Sequence, residues 1–418
     1  MDRVRARNSD GNRSKQGKIM PMGLVAQRQN VYESRTNIIS LLTVLITLAT
    51  LAGCQSITER RDVRPLVMRD VPANRLAYRF EADIRPPDLL VEEVVEKLET
   101  VQADFTARRP DDALLRTVPS PDNQRVLALY GTDAEPSSAF RIDLYAVDGK
   151  FLRNLTPPTL SCVFPETVSW STDGSFITFI GHKGAPPSPT PTPFITDPDA
   201  VPEASPSPSV APAFPAVPMF ATEQIYICNR DGYDLKPLTA REGLIYFYSS
   251  WAPDNHALVA LACKEAEWNA REGEFKMPAG RPRLIALDGS ERLLDDDLTE
   301  ALPVWSSDSS KIATAFETEI AIYDAARSQP TQSRIRLREP LLRASAAYEQ
   351  KQTANTKEGV DLDAAGLPSF NPITRVYWPT PDRLYFQTAY VRLIPNDPIN
   401  TFQRWHQVLL SPQAAVLK

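Results

Sequence analysis

The chain has 418 residues, with 46 Lys+Arg against 52 Asp+Glu and a formal net charge of −6. Residues 1–53 hold 8 basic and 3 acidic residues, so residues 54–418 carry 38 against 49. An acidic body without a basic stripe is unsuited to phosphate backbones, which excludes nucleic acid as a partner. Its length suits one large β domain or two ordinary ones.

The N-terminal segment is basic through Arg3, Arg5, Arg7, Arg13, Lys15, Lys18, Arg28 and Arg35, and is followed by the uncharged run Ile38–Ala52. That run is too short for a bilayer-spanning helix, which needs roughly 20 apolar residues, and suits a signal-peptide core of about 7–15. It closes on Leu51-Ala52-Gly53-Cys54, which resembles a bacterial lipobox. The resemblance implies that residues 1–53 are a lipoprotein signal peptide and that Cys54 receives the lipid that anchors the chain to a membrane. Gln55 stands where an inner-membrane retention signal would be Asp. In a Gram-negative host this implies the outer membrane, facing the periplasm; a surface lipoprotein of a Gram-positive host stays open.

Residues 54–74 read as a polar tether. Residues 75–117 read as a strand and an amphipathic helix. Leu76, Tyr78, Phe80, Ala82 and Ile84 alternate at period 2. Asp88 is placed to cap a helix whose apolar face is Val91, Val94, Val95, Leu98, Val101 and Phe105, with Glu92 and Glu93 at its N-terminus. The helix is expected to pack on the rim of the domain that follows.

From Val118 a repeat runs through the chain. Trp170, Trp251, Trp305 and Trp378 each precede a polar turn carrying Asp173, Asp254, Asp308 or Asp382, and then a short apolar strand. A fifth copy around Asp122 has no Trp. Between these copies lie hairpins with Asp-Gly at 148–149, 231–232 and 288–289, which supplies the positive φ of a tight turn. The unit is thus four antiparallel strands. The turn aspartates are spaced 51, 81, 54 and 74 residues apart. The two long steps exceed the ~40–50 residues of a propeller blade and contain insertions: a loop at 185–219 with 12 prolines in 35 residues, and a polar excursion near 327–367 with a helix expected around Leu341–Gln352.

This turn-and-strand repeat resembles TolB-type (WD40-like) propellers over Val118 to Leu410. The fold class is therefore all-β, a β-propeller of five or six four-stranded blades over 118–412, the strand at Leu76–Ile84 being available to complete the last. TolB carries a substantial α/β domain in front that this chain lacks, so TolB's own partner does not carry over.

The chemistry-bearing residues are sparse. His182, His256 and His406 lack metal-ligand spacing, and no phosphate loop or nucleophile elbow occurs. Propeller lyases resembling this repeat use clustered channel histidines, which three scattered ones do not supply. Asp288 and the run Asp295-Asp296-Asp297 read as solvated turns rather than a Ca²⁺ site. The tryptophans read as blade packing rather than sugar stacking. Cys162, Cys228 and Cys263 are an odd set, either buried thiols or partly disulfide-bonded. No catalytic, cofactor or metal residue is assigned. The expected function is a non-enzymatic scaffold for another envelope protein; the alternative is a propeller enzyme or ligand sensor acting on carbohydrate or peptide in the central channel.

Overall fold

Each repeat folds as a separate antiparallel sheet in the computed structural model. The model describes residues 67–87, 97–132, 139–184, 217–326, 330–355, 371–392 and 400–412, all within one unit, Pro65–Lys418. Cys54, the expected helix start at 88–96 and residues 185–216 of the Pro-rich loop lie outside the described residues.

After two 3-10 turns, Met68–Asp70 and Ala73–Arg75, come β1 (Leu76–Glu81) and α1 (Glu99–Arg108). Blade 1 is β2 (Ala113–Pro119), β3 (Arg125–Gly131), β4 (Arg141–Ala146) and β5 (Phe151–Asn154). In blade 2, β6 (Leu160–Cys162) and β7 (Ser169–Trp170) both pair with β8 (Phe176–Lys183), followed by β9 (Gln224–Asn229) and β10 (Lys236–Pro237). Blade 3 is β11 (Leu244–Trp251), β12 (Ala257–Lys264), β13 (Arg281–Ala286) and β14 (Glu291–Leu293), with α2 (Glu265–Gly273) inserted after β12. Blade 4 is β15 (Val304–Trp305), β16 (Lys311–Phe316), β17 (Glu319–Asp324) and β18 (Gln332–Arg336), and α3 (Arg338–Asn355) follows it. Blade 5 takes β19 (Ile373–Thr380), β20 (Arg383–Arg392) and β21 (Asn400–Pro412), and β1 completes it as the fourth strand. The fold is a propeller, with five blades among the described residues.

Blades stack in chain order because their middle strands are apolar on both faces. In β3 and β12 every residue after the first is buried, apart from Lys264 at the end of β12. Leu129 and Ile142 meet Ile177 and Phe179 between blades 1 and 2, and Ile180 and Ile225 meet Leu258 and Ile285 between blades 2 and 3. Val259 meets Ile312 and Tyr323, and Ile322 meets Phe386 and Val408, across the next two interfaces. The other face of blade 1 is covered by α1, through Val101 and Phe105.

Two boundaries differ from the sequence reading. Blade 1 begins at Ala113, ahead of the Val118 at which the repeat motif becomes visible. The stretch 327–367, read as an excursion, contains β18, which pairs with β17 from Glu319↔Arg336 to Tyr323↔Gln332. Its Arg334 and Arg336 alternate with the buried Ile335, the pattern of a charged edge strand rather than of a loop.

The turn aspartates of blades 1, 2 and 4 share one structural job. In blade 2, Ser171 Oγ and the Ser175 N–H both donate to Asp173 Oδ1 (2.6 and 3.0 Å), and the Phe176 N–H donates to Ser171 Oγ (2.9 Å). Blade 4 repeats this with Ser306, Asp308, Ser310 and Lys311, and blade 1 with Ser120, Asp122, Gln124 and Arg125. The residue after Asp122, Asp173, Asp254 and Asp308 is left-handed: Asn123, Gly174, Asn255 and Ser309 at φ 52, 69, 61 and 59°. The tryptophans tie blades together. Trp170 Nε1 donates to the Val118 carbonyl (3.1 Å) and Trp305 Nε1 to the Ser250 carbonyl (3.2 Å), equivalent positions one blade back, while Trp251 Nε1 donates to Thr178 Oγ1 (3.0 Å). With its longer turn, Trp378 instead donates within its own turn, to the Pro381 carbonyl at 3.4 Å.

Candidate interaction face

Antiparallel order sorts the connections into two sets. Within a blade, the turns between strands 1–2 and 3–4 share one end; the links between strands 2–3, and from one blade to the next, share the other. The turn end is short and stitched together. Arg230 reaches Asp122 (2.5 Å), Arg125 pairs with Asp231, Thr172 Oγ1 donates to Asn255 Oδ1 (2.6 Å), and the Asp254 N–H donates to Ser309 Oγ (3.0 Å). Each of these ties joins turns of adjacent blades.

The link end carries the insertions. The link from β8 to β9, α2 with its following loop, the stretch holding α3, and the link from β20 to β21 all leave from it. The chain itself arrives at the opposite end, since Leu76 pairs with Pro412 at the far end of β21. There Lys311 Nζ donates to the Met68 carbonyl (3.0 Å) and Asp324 Oδ2 accepts from the Ala73 N–H (2.9 Å), a clasp on the turn end of blade 4 in which the Lys311 and Asp324 side chains are buried.

Two cavities open at the link end. One of about 200 Å³ lies beneath α2, between Trp268, Arg271, Lys276, Pro278, Ala279 and Cys263. The other, about 710 Å³, lies beside blade 4 and is walled by Phe316, Thr318, Glu317, Glu339 and the row Arg334, Arg336, Arg338. α2 is held from both sides: the Lys264 N–H donates to Glu267 Oε2 (2.9 Å), and Arg281 grips both oxygens of Glu267 (2.7 and 2.9 Å). That grip, chiefly the Arg281 hydrogen bonds, brings the Glu267 carboxyl down to about 2. Beyond α2, Phe275 is 98% and Met277 70% exposed, in contrast to the apolar side chains of the blades. Sequence reasoning missed both. The only local signal is two large apolar residues in an otherwise polar link, Glu272–Pro278.

The three histidines stay apart. His256 is exposed in a turn of blade 3, His182 lies 3.7 Å from Glu223 in blade 2, and His406 is fully buried in blade 5. His406 Nε2 sits 3.1 Å from Thr388 Oγ1, and both side chains are sealed from solvent, so no substrate reaches the pair. Among the described residues no three or more His, Cys, Asp or Glu side chains converge as metal ligands. The Asp295 carboxylate accepts from Tyr323 (2.6 Å) and Arg334 (2.5 Å), Asp297 pairs with the same arginine, and Asp288 accepts from the Ser290 N–H. Cys162, Cys228 and Cys263 are buried free thiols, and burial pushes Cys228 up to about 12 and Cys263 up to about 11. Such thiols are poor nucleophiles, since the thiolate is the reactive form. No helix among the described residues is long and apolar enough to cross a membrane.

No protein-family profile and no curated protein matches the chain. Similar solved structures include a protein assigned as TolB from Agrobacterium tumefaciens, 11% identical, with a TM-score of 0.28 over 72% of this chain and 91% of that one. Prolyl oligopeptidase B from Galerina marginata is 10% identical, with a TM-score of 0.37 over 73% of this chain and 34% of that one. A nidogen/laminin complex matches at 11% identity and a TM-score of 0.30, over 73% of this chain and 87% of that one. The chain thus spans only about a third of the oligopeptidase's length.

Proposed function

We propose that this protein is a lipid-anchored envelope protein, held through Cys54, whose propeller is a scaffold that offers its link end to another envelope protein. One observation supports this most: the long links, both cavities and the exposed Phe275 and Met277 gather at one end, and the chain arrives at the other. A lipid on Cys54 would then tether the propeller through the segment ahead of β1. Tethering raises the effective concentration of a weak contact, which favours a scaffold. In a Gram-negative host the absence of Asp after Cys54 directs the protein to the outer membrane, with the propeller in the periplasm.

A ligand-sensing reading has one observation in its favour, the cavity of about 710 Å³, which is within the usual size range of small-molecule sites. It lies beside the edge strand β18 rather than in the central channel, and its arginines face acidic neighbours, Arg334 against Asp295 and Arg336 against Glu319.

Metabolic labelling with a palmitate analogue tests the anchor: wild type takes the label and Cys54→Ala does not, whereas equal labelling of both refutes it. Separation of membranes on a density gradient tests the sorting, recovery with the inner membrane being the contrary result.

A further inference from the structure

We infer that the loop after α2 is a self-association site, in which Phe275 of one copy seats in the cavity beneath Trp268 of a second copy and receives the same contact in return. The inference concerns part of the link end proposed above as an interaction face, and does not depend on the lipid.

Phe275 is 98% exposed and sits at φ 55°, a conformation bulky side chains rarely adopt. It is nonetheless fixed. The Phe275 N–H donates to the Glu272 carbonyl (3.0 Å) and the Lys276 N–H to the Arg271 carbonyl (3.0 Å). Arg271 Nε donates to the Met277 carbonyl (2.7 Å), and the same guanidinium pairs with Glu300. An exposed aromatic residue on a strained, hydrogen-bonded backbone is a preorganised anchor, because little loop entropy remains to be lost on binding.

The cavity that would take it adjoins it in sequence. Phe275 and Met277 point outward, while Lys276 and Pro278 line the cavity with Trp268 and Ala279. Its volume of about 200 Å³ exceeds the ~150 Å³ of an apolar cavity that admits benzene. A knob and a hole side by side on one loop are what a two-fold axis requires, since each copy then supplies both halves of an isologous contact. The rim charges are balanced and compatible with a second copy: Lys276 pairs with Glu274 and Arg271 with Glu300 in the same copy, so two such rims meet without net like-charge repulsion. The same pairing leaves no net basic charge to draw the loop to an anionic bilayer. One loop from each copy buries less than the ~1,200 Å² of a stable complex, so association is weak.

The test is density-matched sedimentation equilibrium of the full chain in detergent, at rising concentration. Wild type and Tyr233→Ala, an exposed aromatic at the turn end, should show mass increasing toward the dimer. Phe275→Ala should associate at least about tenfold more weakly with an unchanged melting curve, as the side chain packs on nothing within its own copy. Wild type that remains monomeric, or Phe275→Ala that associates like wild type, overturns the inference. A second arm compares Phe275→Trp with wild type in vesicles of brominated phosphatidylglycerol, the difference in emission reporting residue 275 above the six native tryptophans: that difference should escape quenching, and its strong quenching would assign the loop to the membrane instead.

Discussion

His406 stands between Thr388 Oγ1 and the Asp83 N–H, fully buried, with Arg404 and Asp83 as its charged neighbours. Burial, and then the Arg404 charge, hold its imidazole down to about 4, against an ordinary value of 6.5. The folded protein therefore stays neutral at this position where the unfolded chain takes up a proton. Stability from this group is complete above about 6.5, declines as the pH falls toward 4, and is level below that. The linked loss is about 3 kcal/mol. Urea midpoints measured between pH 7 and 4 should fall less steeply for His406→Gln than for wild type; equal slopes would show that the imidazole is not held neutral. Residues such as Asp173 and Trp305 were readable in the sequence because their roles recur with the repeat, and the Asp turn closes its hydrogen bonds within six residues. The environment of His406 was not, since Arg404, Thr388 and Asp83 meet only when β1, β20 and β21 pair.

Helix α1 shows how closely an element is fitted. Thr100 Oγ1 donates to the Val147 carbonyl (2.9 Å), and Gly149, at φ 89°, lies so close that a methyl group there would overlap the Thr100 carbonyl oxygen. Gly243 shares the positive φ, at 81°, but faces open space. Both substitutions to alanine incur left-handed strain of about 1–2 kcal/mol, and Gly149→Ala adds an overpacking cost of about 1–3 kcal/mol. Thermal unfolding should therefore rank Gly149→Ala clearly below Gly243→Ala, and equal melting temperatures would mean that α1 does not dock there. Only the second half of the expected helix was legible: Leu98 is extended rather than helical, so α1 starts at Glu99, while Val101 and Phe105 are buried on blade 1 as their spacing suggests. Strand β18 was hidden because its hairpin turn lacks Asp-Gly and an edge strand rich in arginine reads as loop. The exposed loop after α2 was equally silent, since the sequence does not mark which apolar residues a link leaves uncovered.

Across the whole molecule, blade 5 unites the two ends of the described chain. β1 pairs with β21 from Leu76↔Pro412 to Glu81↔Gln407, and the Phe80 ring packs 6.1 Å from Phe386 and 5.7 Å from His406. Phe80→Ala should cost about 2 kcal/mol and loosen both ends together. Hydrogen exchange should then accelerate in β1 and β21 while β8 in blade 2 is little changed; acceleration in β1 alone would show that the two strands open independently. The alternation from Leu76 marks β1 as a strand in the sequence, and a strand near one end of the repeat is available to complete the blade at the other, which is why this closure could be anticipated.

That pairing also sets a timetable. Among the described strands, the partner of the first is the last to be synthesised. At ~5–20 residues per second, Leu76 waits roughly 20–70 s for Pro412 to leave the ribosome. Blades 1 to 4 have all their strands before then, yet Tyr78 and Phe80 remain on an unpaired strand, the kind of surface that holding chaperones recognise. The delay falls on blade 5 alone: β1 stays an open edge until β21 emerges, so the join between the two ends of the described chain forms after the other four sheets are available.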